Sequence, residues 1–367
     1  MKSVYSAVFF LLISGILFAF ATRQEYSQTI IKEFPIQATG TVDLRNSFGP
    51  VEVFTWNQNR VKVHITITVR AASEQKAQYV FDEVDVAFAN TPTHFSAQTQ
   101  INSGKSWWDW DEEKKDFSIQ YQVWIPNTVQ LNIDNKYGDI LIAEMKGKTS
   151  INLQYGNIQL QKLSEDLYLD FSHGTGQIGQ VKDIEGKLSY CNLQLEQARD
   201  LKLETSYSNL QIEHAAEMFI NAKYNNFKIQ QISAFDYEGR YDVVDIEQVD
   251  RFRATAKYSD FRLGNVTDNA SFDLEFGVVN IEHISPQFSE VNLVGQFTDY
   301  KVNLEPGTPY MLQAAADYAG VSYPASLKVT FEKESSTFHE VEGYHGKAQG
   351  VSVIRAQLNY GGLKVTN

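Results

Sequence analysis

The chain has 367 residues, with 45 acidic and 32 basic side chains and a net charge of −13, a balance that argues against a nucleic-acid partner. Its single cysteine, Cys191, cannot form an intramolecular disulfide, so packing must stabilise the fold. With 43% hydrophobic and 13% aromatic residues, the composition is that of a chain folded over most of its length.

The first 21 residues have the pattern of a Sec-type signal peptide. Lys2 precedes an uncharged apolar run from Val4 to Phe20, and Ala19 and Ala21 flank Phe20 in a small-x-small cleavage site. An uncleaved anchor is the alternative, because the run is about long enough to span a bilayer. We expect cleavage after Ala21 and export to the periplasm, the cell surface or the extracellular medium, with no membrane span in the mature chain.

Residues 22–128 combine one strand–corner–strand unit with a mixed α+β region. The unit runs from Val42 to Val53 around Phe48, and its pattern returns only at Tyr137, 89 residues later. The alternation between these two copies predicts strands at 61–69, 84–88 and 117–125, a helix at 73–82 and a loop after residue 88. Because an open sheet end exposes unpaired strand edges, we expect this region to cap a repeat structure.

Residues 129–318 carry a repeat of 17 or 18 residues, marked each time by a corner residue that is nearly always aromatic. The corners are Tyr137, Tyr155, His173, Tyr190, Tyr207, Tyr224, Tyr241, Tyr258 and Phe276, and the spacing then loosens to Phe297 and Tyr318. Apolar residues three and five places after each corner, and four and six places before it, alternate with polar ones, which predicts two short strands per repeat. Turn-forming pairs such as Gly138-Asp139 and Ser208-Asn209 follow the corner.

A repeat of this length predicts an all-β fold, a single-chain parallel β-helix (β-solenoid) whose strands pair with their own copies one coil away. The crossover rule favours a right-handed coil. We expect the corner rings, including His173, to stack coil upon coil and to fill the bend rather than contact a ligand. Residues 319–367 are predicted to form a hairpin and a terminal coil or cap around Asn359 to Val365.

Several of these motifs resemble a known bacterial family. They are the signal peptide, the G-x-V-x-L-x-N-x-x-G-x-V-x-V segment from Gly40 to Val53, the V-x-I-P segment from Val123 to Pro126, and the repeated corner coils. Together they look like the putative-adhesin family of β-strand repeats, whose function is unknown. The resemblance implies a role at the cell envelope and transfers no catalytic residue. The chain departs from the usual glycine-rich coils by favouring Tyr-Ser-Asn and Tyr-Asn-Asn corners.

Acidic residues on the outer faces are candidate acid/base pairs, because parallel β-helices include glycan-cleaving enzymes. Three places before the corner, acids occur in every second coil, from Asp134 to Asp273, and this periodicity is what a stable ladder of like charges requires. Glu196 and Glu213 are predicted on adjacent coils, about 5 Å apart, but two carboxylates supply too few ligands for Ca²⁺. We therefore expect solvated structural acids, with no catalytic residue, cofactor or metal site.

A basic stripe stands out on this acidic chain. It consists of Lys223, Arg240 and Lys257, each directly before a corner on three consecutive coils, with Lys228 and Arg262 beyond the corner. Like charges opposed in a ladder cost stability. The stripe therefore indicates either compensation by nearby acids such as Glu238, which we favour, or an anionic partner such as an acidic polysaccharide.

A tryptophan-rich loop is the other departure from the repeat. Trp107, Trp108 and Trp110 lie among acids in the capping region. Exposed aromatic faces stack on sugar rings, and neighbouring acids can accept hydrogen bonds from hydroxyls. Alternatively, the tryptophans cover the hydrophobic end of the solenoid.

The sequence thus predicts a non-enzymatic cell-envelope protein with an adhesin-like binding or scaffolding role. Its candidate ligand-binding residues are the three tryptophans and the basic stripe, and its candidate partners are an envelope polysaccharide or a protein. A carbohydrate-active β-helix enzyme acting on an acidic polysaccharide is one alternative. An envelope stress component that acts through a protein partner is another.

Overall fold

A computed structural model describes residues 23–102, 116–346 and 352–367 of the chain. The predicted signal peptide, residues 1–21, lies outside these ranges. Within them the chain is almost entirely β-structure with one α-helix, and the strands join into one long sheet that coils around a continuous hydrophobic core. This confirms the predicted all-β solenoid. No helix in the described ranges is long and apolar enough to cross a membrane.

The N-terminal region forms the first coil and the cap over it. Its elements are β1 (Gln24–Pro35), β2 (Thr41–Ser47), β3 (Val51–Trp56), β4 (Arg60–Ala71), α1 (Glu74–Glu83), β5 (Val84–Thr91), β6 (His94–Ile101) and β7 (Phe117–Pro126). Strand β4 pairs antiparallel with both β1 and β7, and β5 pairs with β6. The Ser73 side chain accepts a hydrogen bond from the Lys76 N–H and so starts α1, which buries Ala77 and Val80.

The capping region corrects the sequence analysis at one point. The segment after residue 88 was predicted as a loop, but residues 94–101 form strand β6. Its buried residues Phe95 and Ala97 alternate with more exposed neighbours over too short a stretch to be distinctive. Because β6 also pairs in parallel with β2, it covers the edge that the first coil would otherwise expose.

The repeats form a regular stack of parallel coils. Their strands are β8 (Gln130–Lys136), β9 (Ile140–Met145), β10 (Thr149–Gln154), β11 (Ile158–Leu163), β12 (Leu167–Ser206), β13 (Asn209–Lys223), β14 (Asn226–Arg240), β15 (Val243–Lys257), β16 (Asp260–Ile284) and β17 (Glu290–Leu304). From β8 to β16, paired residues lie 17 or 18 places apart, as in Ile133 with Ile151 and Ile151 with Leu169, and from β16 to β17 the spacing widens to 20 or 21. The first coil joins directly, since Thr41 pairs with Gln130.

Every corner residue of the solenoid has a left-handed backbone. Thirteen non-glycine residues of the described chain have positive φ, between 51° and 63°, and they are the corner residues: Phe48, Tyr137, Tyr155, His173, Tyr190, Tyr207, Tyr224, Tyr241, Tyr258, Phe276, Phe297, Tyr318 and Tyr360. At the following position a side chain would often collide with the coil below. A Cβ on Gly138, for example, would lie 2.0 Å from the Gly49 carbonyl oxygen.

The thirteen corner rings form one stacked column, which we call the aromatic ladder. Successive ring centroids lie 4.6–5.3 Å apart with interplanar angles of 1–16°. The predicted stacking is therefore confirmed, and His173 lies between Tyr155 and Tyr190 as a corner residue. The rings do not fill the bend, however. Ten of them are 40–60% exposed, because a left-handed corner directs the side chain outward.

The C-terminal region has an unexpected coil order. Its strands are β18 (Tyr310–Asp317), β19 (Gly320–Ser322), β20 (Lys328–Glu334), β21 (Phe338–His345), β22 (Ser352–Asn359) and β23 (Gly362–Thr366). The last coil, β22 and β23, lies between β17 and the β18–β19 coil, because Val291 pairs with Ile354 and Leu312 pairs with the same residue. The β20–β21 hairpin then runs antiparallel on β18 and covers the end of the stack.

At a position of the aromatic ladder, a glycine variant should be more stable than an alanine variant, which is the reverse of the usual order. Tyr207→Ala removes two stacking contacts but keeps a backbone that disfavours a Cβ, whereas Tyr207→Gly removes the same contacts and relieves that cost. We expect Tyr207→Ala to lower the free energy of unfolding by about 1–3 kcal/mol, and Tyr207→Gly by about 1 kcal/mol less than that. Urea unfolding followed by circular dichroism measures both, and an alanine variant more stable than the glycine variant would contradict this account of the corner.

Candidate ligand-binding surface

A long groove of about 900 Å³ follows one face of the solenoid. It extends over nine coils, from Gln130 to Ser271, and is lined by the residues seven, six and five places before each corner. At about 4.8 Å per coil, its length is close to 40 Å. The residues six places before the corner are mostly buried and apolar, so the outward rows at positions seven and five provide the polar contacts.

The row seven places before the corner carries acids on four consecutive coils: Asp166, Asp183, Asp200 and Glu217. Basic side chains join the first three into ion pairs. Lys148 and Lys182 lie 3.0 and 3.2 Å from Asp166, and Arg199 lies 2.5 Å from Asp183 and 3.0 Å from Asp200. Hydrogen bonds from the two lysines hold the pKa of the Asp166 carboxyl below its usual range, so it is ionised at neutral pH.

The row five places before the corner combines ion pairs with exposed rings. Lys202 lies 3.3 Å from Glu185, and Arg253 lies 3.8 Å from Asp236. Tyr168 and Phe219 are 48% and 47% exposed, and both line the groove. They are three coils apart, which corresponds to about 14 Å. The groove therefore offers two apolar contacts set among charged hydrogen-bonding groups.

A second, smaller groove of about 410 Å³ lies beyond the corner. It is lined by a column of glutamines on four successive coils, Gln159, Gln177, Gln194 and Gln211. Glu196 and Glu213 line the same groove on adjacent coils, as the sequence predicted. Neither belongs to a cluster of metal-binding side chains among the described residues.

The structure brings the basic stripe together as a direct ladder. Lys223 pairs with Arg240, and Arg240 pairs with Lys257. Lys257 is compensated by Glu275 at 2.8 Å, and the Lys223 ammonium lies 5.3 Å from the Tyr224 ring centroid. The Arg240 side chain has no ion pair with any described residue.

Compensation of the stripe does not come from the predicted residue. Glu238, two places before Arg240 on the same strand, forms no ion pair within the described ranges, and its neighbours on the adjacent coils are the uncharged Asn221 and Thr255. The acids that act instead lie on neighbouring coils: Glu275 for Lys257, and Asp245 and Glu282, at 2.6 and 2.8 Å, for Arg262. These basic residues are therefore compensated by acids on neighbouring coils and not by Glu238.

The tryptophans and the acids three places before the corner were also singled out in the sequence. Trp107, Trp108 and Trp110 lie outside the described residues. The acids three places before the corner have neutral or basic partners on the adjacent coil, since Asn152 donates to Asp134 at 3.3 Å and Lys187 lies 2.9 Å from Glu204. Their regular spacing is thus used for pairing across the ladder.

A buried polar column beneath the aromatic ladder was missed by sequence reasoning. The backbone N–H groups of Cys191, Ser208, Asn225 and Asp242 each donate to the side chain one coil further, at 3.1, 3.0, 2.6 and 3.1 Å. Serine, asparagine and aspartate after a corner indicate a turn, and nothing in the sequence shows that they point inward.

Asp242 is the acidic member of this column and is 1% exposed. Its Oδ1 accepts hydrogen bonds from the backbone and side chain of Asn225, and its Oδ2 accepts one from the Tyr237 hydroxyl at 2.6 Å. Burial raises the pKa of the Asp242 carboxyl above its usual range. Because this group faces the interior, it supports the fold and cannot contact a bound ligand.

Comparison with known proteins gives few matches. No protein-family model matches the chain, and no curated protein matches its sequence. Among solved structures it is similar to a putative cell adhesion protein from Clostridium sporogenes, with 10% identity, a TM-score of 0.20 and coverage of 93% of this chain and 99% of that one.

Two further similar structures are putative adhesins. The one from Parabacteroides merdae has 11% identity and a TM-score of 0.28, with 93% of this chain and 97% of that chain covered. The one from Bacteroides fragilis has 10% identity and a TM-score of 0.21, with coverage of 92% and 97%. With TM-scores below 0.5, these similarities carry no conclusion about the family or the function of this chain.

The raised pKa of Asp242 makes a prediction about pH. Its protonated form is favoured in the folded state, so its contribution to stability is full below its unfolded pKa of 3.8 and is lost as the pH rises through the folded value. Asp242→Asn keeps the acceptor for Asn225 without a titrating charge. We expect the melting temperature of Asp242→Asn, relative to the unaltered chain, to increase from pH 4 to pH 7.

Asp242→Ala serves as the control for the hydrogen bonds themselves. It leaves the Tyr237 hydroxyl and the Asn225 N–H unsatisfied, which should cost about 1–3 kcal/mol for each group at both pH values. A melting-temperature difference between Asp242→Asn and the unaltered chain that stays constant over this pH range would contradict the raised pKa.

Proposed function

We propose that the chain is an exported, non-enzymatic β-solenoid protein that binds an extended polysaccharide along the 900 Å³ groove, in an adhesin-like role. The observation that carries this proposal is the pair of exposed rings, Tyr168 and Phe219, within a groove that crosses nine coils. Aromatic faces pack against the apolar faces of sugar rings, and paired charges hydrogen-bond their hydroxyls. An elongated, shallow surface of repeated polar contacts suits a polymer better than a small molecule.

The electrostatics of the groove favour binding over glycan hydrolysis. A glycosidase needs a carboxylic acid whose raised pKa keeps it protonated, beside a second carboxylate. In the groove, Asp166 has a lowered pKa, and Asp183 and Asp200 share the guanidinium of Arg199. Asp242 does have a raised pKa, but it is buried inside the coil. These features support a binding role for the groove acids.

The basic stripe and the tryptophan loop remain candidate contacts for the same kind of polymer. Arg240 projects from the face beside the aromatic ladder without a carboxylate partner among the described residues, which leaves its charge available to an anionic sugar. Trp107, Trp108 and Trp110 would add stacking contacts from the capping region. Both sets are secondary to the groove in this proposal.

The groove is tested by removing its rings. Tyr168→Ala combined with Phe219→Ala should weaken binding of the chain to an immobilised linear polysaccharide by about five- to a hundredfold. Affinity electrophoresis through gels that contain a neutral, a carboxylated or an amino-sugar polymer measures the retardation. Both side chains are half exposed, so the fold should tolerate the change.

Phe331→Ala is the matched control, because Phe331 is 45% exposed on a strand outside the groove. It should bind as the unaltered chain does. The proposal is wrong if the unaltered chain is retarded by none of the three polymers, or if the double variant binds them equally well.

The basic stripe is tested by reversing one charge. Arg240→Glu should reduce retardation by the carboxylated polymer by about two- to tenfold at low salt, and the difference should shrink as salt screens the charge. Retardation by the neutral polymer should not change. Equal effects on both polymers, or none on the carboxylated one, would remove Arg240 from the binding surface.

A further inference from the structure

The β20–β21 hairpin at the C-terminal end of the stack brings three potential metal ligands together. Glu332 and Glu334 lie two places apart on β20, so their side chains leave the same face of the strand. His339 lies on β21, directly opposite Glu334 in the antiparallel register. One carboxylate oxygen of each glutamate and one ring nitrogen of the histidine all lie within 4.8 Å of one another.

The geometry of the three groups is close to that of a metal site. The His339 Nε2 atom lies 3.1 Å from a Glu332 oxygen. Two ligand atoms that each lie about 2.1 Å from one zinc ion are about 3.4 Å apart in tetrahedral geometry. Groups within 4.8 Å therefore need a movement of about 1–2 Å to share an ion, which the exposed glutamates can make by a change of rotamer.

The surroundings of the cluster prepare Glu332 to act as a ligand. The Tyr323 hydroxyl donates a hydrogen bond to Glu332 at 2.7 Å. A partner of this kind orients a ligating carboxylate, as is usual around metal ions in proteins.

We propose that Glu332, Glu334 and His339 bind one Zn²⁺ ion, with water at the fourth position. One imidazole and two carboxylates suit zinc, whereas Ca²⁺ requires six to eight oxygen ligands and Mg²⁺ prefers oxygen alone. The ion neutralises two adjacent glutamates on an edge strand whose residues are all exposed.

Zinc at this position would link the hairpin to the β18–β19 coil at the end of the stack. Tyr323, which holds Glu332, directly follows the short strand of that coil, and the Tyr318 N–H donates to the Thr337 carbonyl in the hairpin turn at 2.7 Å. Tyr318 is also the terminal ring of the aromatic ladder, stacked on Tyr360. Binding should therefore stabilise the end of the stack against fraying.

Isothermal titration of the metal-free chain with ZnCl₂ tests the site directly. We expect one Zn²⁺ per chain, and at least tenfold weaker binding in Glu334→Gln and in His339→Gln. Glu334 is exposed, so its variant should fold normally even if the partly buried His339 is needed for packing. Circular dichroism of each variant in EDTA checks the fold independently of metal binding.

His94→Gln is the matched control, because His94 also contacts a carboxylate, Asp43, at 2.7 Å, but belongs to no group of three potential metal ligands among the described residues. It should bind zinc as the unaltered chain does. Zinc, but not Mg²⁺ or Ca²⁺, should raise the melting temperature of the unaltered chain and of His94→Gln, and leave that of Glu334→Gln unchanged. Absence of zinc binding up to millimolar concentration, or equal affinity in Glu334→Gln, would overturn the site.

Discussion

Stacking of the left-handed corners in register is the constraint on which the rest of this structure depends. A non-glycine residue at positive φ costs about 1–2 kcal/mol, and the described chain contains thirteen such corners. The compensation must therefore recur at every coil, and the aromatic ladder provides it, since a stacked pair contributes about 0.5–1.5 kcal/mol. The two terms are of similar size, so the ladder makes the corner tolerable and the buried apolar columns supply the net stability.

The same register places each outward residue about 4.8 Å from its counterpart on the next coil. If every coil carried the same side chains, like charges would therefore lie opposite each other along the whole solenoid. The chain avoids this with cations placed between neighbouring acids: Lys182 contacts both Glu165 and Asp166, and Arg199 contacts Asp183 and Asp200. On the inner side of the corner, hydrogen bonds along the column that includes Asp242 satisfy the buried polar groups.

Features that depend on local periodicity were predictable from the sequence. The predicted strand at 61–69 and helix at 73–82 correspond to Arg60–Ala71 and Glu74–Glu83, and the corner positions and their apolar columns are correct throughout. Features that depend on contacts distant in sequence were not. The insertion of the last coil between two earlier ones has no local signal, and the outward direction of the corner rings depends on a backbone angle.

The candidate site was only partly predictable for a related reason. The acid row of the groove precedes the corner by seven places, where the chain leaves its second bend, and whether such a residue faces outward depends on the shape of that bend. The sequence around Asp183 and Asp200 therefore carries no signal that places them in one groove. The basic stripe lies directly beside the regular corner, so its alignment could be derived from spacing alone, whereas its ion-pair partners on the next coil required the structure.

A groove built from identical coils would accept a polymer in many equivalent positions, each displaced by one coil. Departures from the repeat remove this degeneracy. Tyr168 and Phe219 are the large apolar residues of their row and lie three coils apart, so a chain that packs on both is held in one register. The charges vary along the groove as well, because the row of acids from Asp166 to Glu217 has Lys148 before it and Arg251 after it. In the proposed binding mode, these departures from the repeat would favour one register of the polymer over positions displaced by one coil.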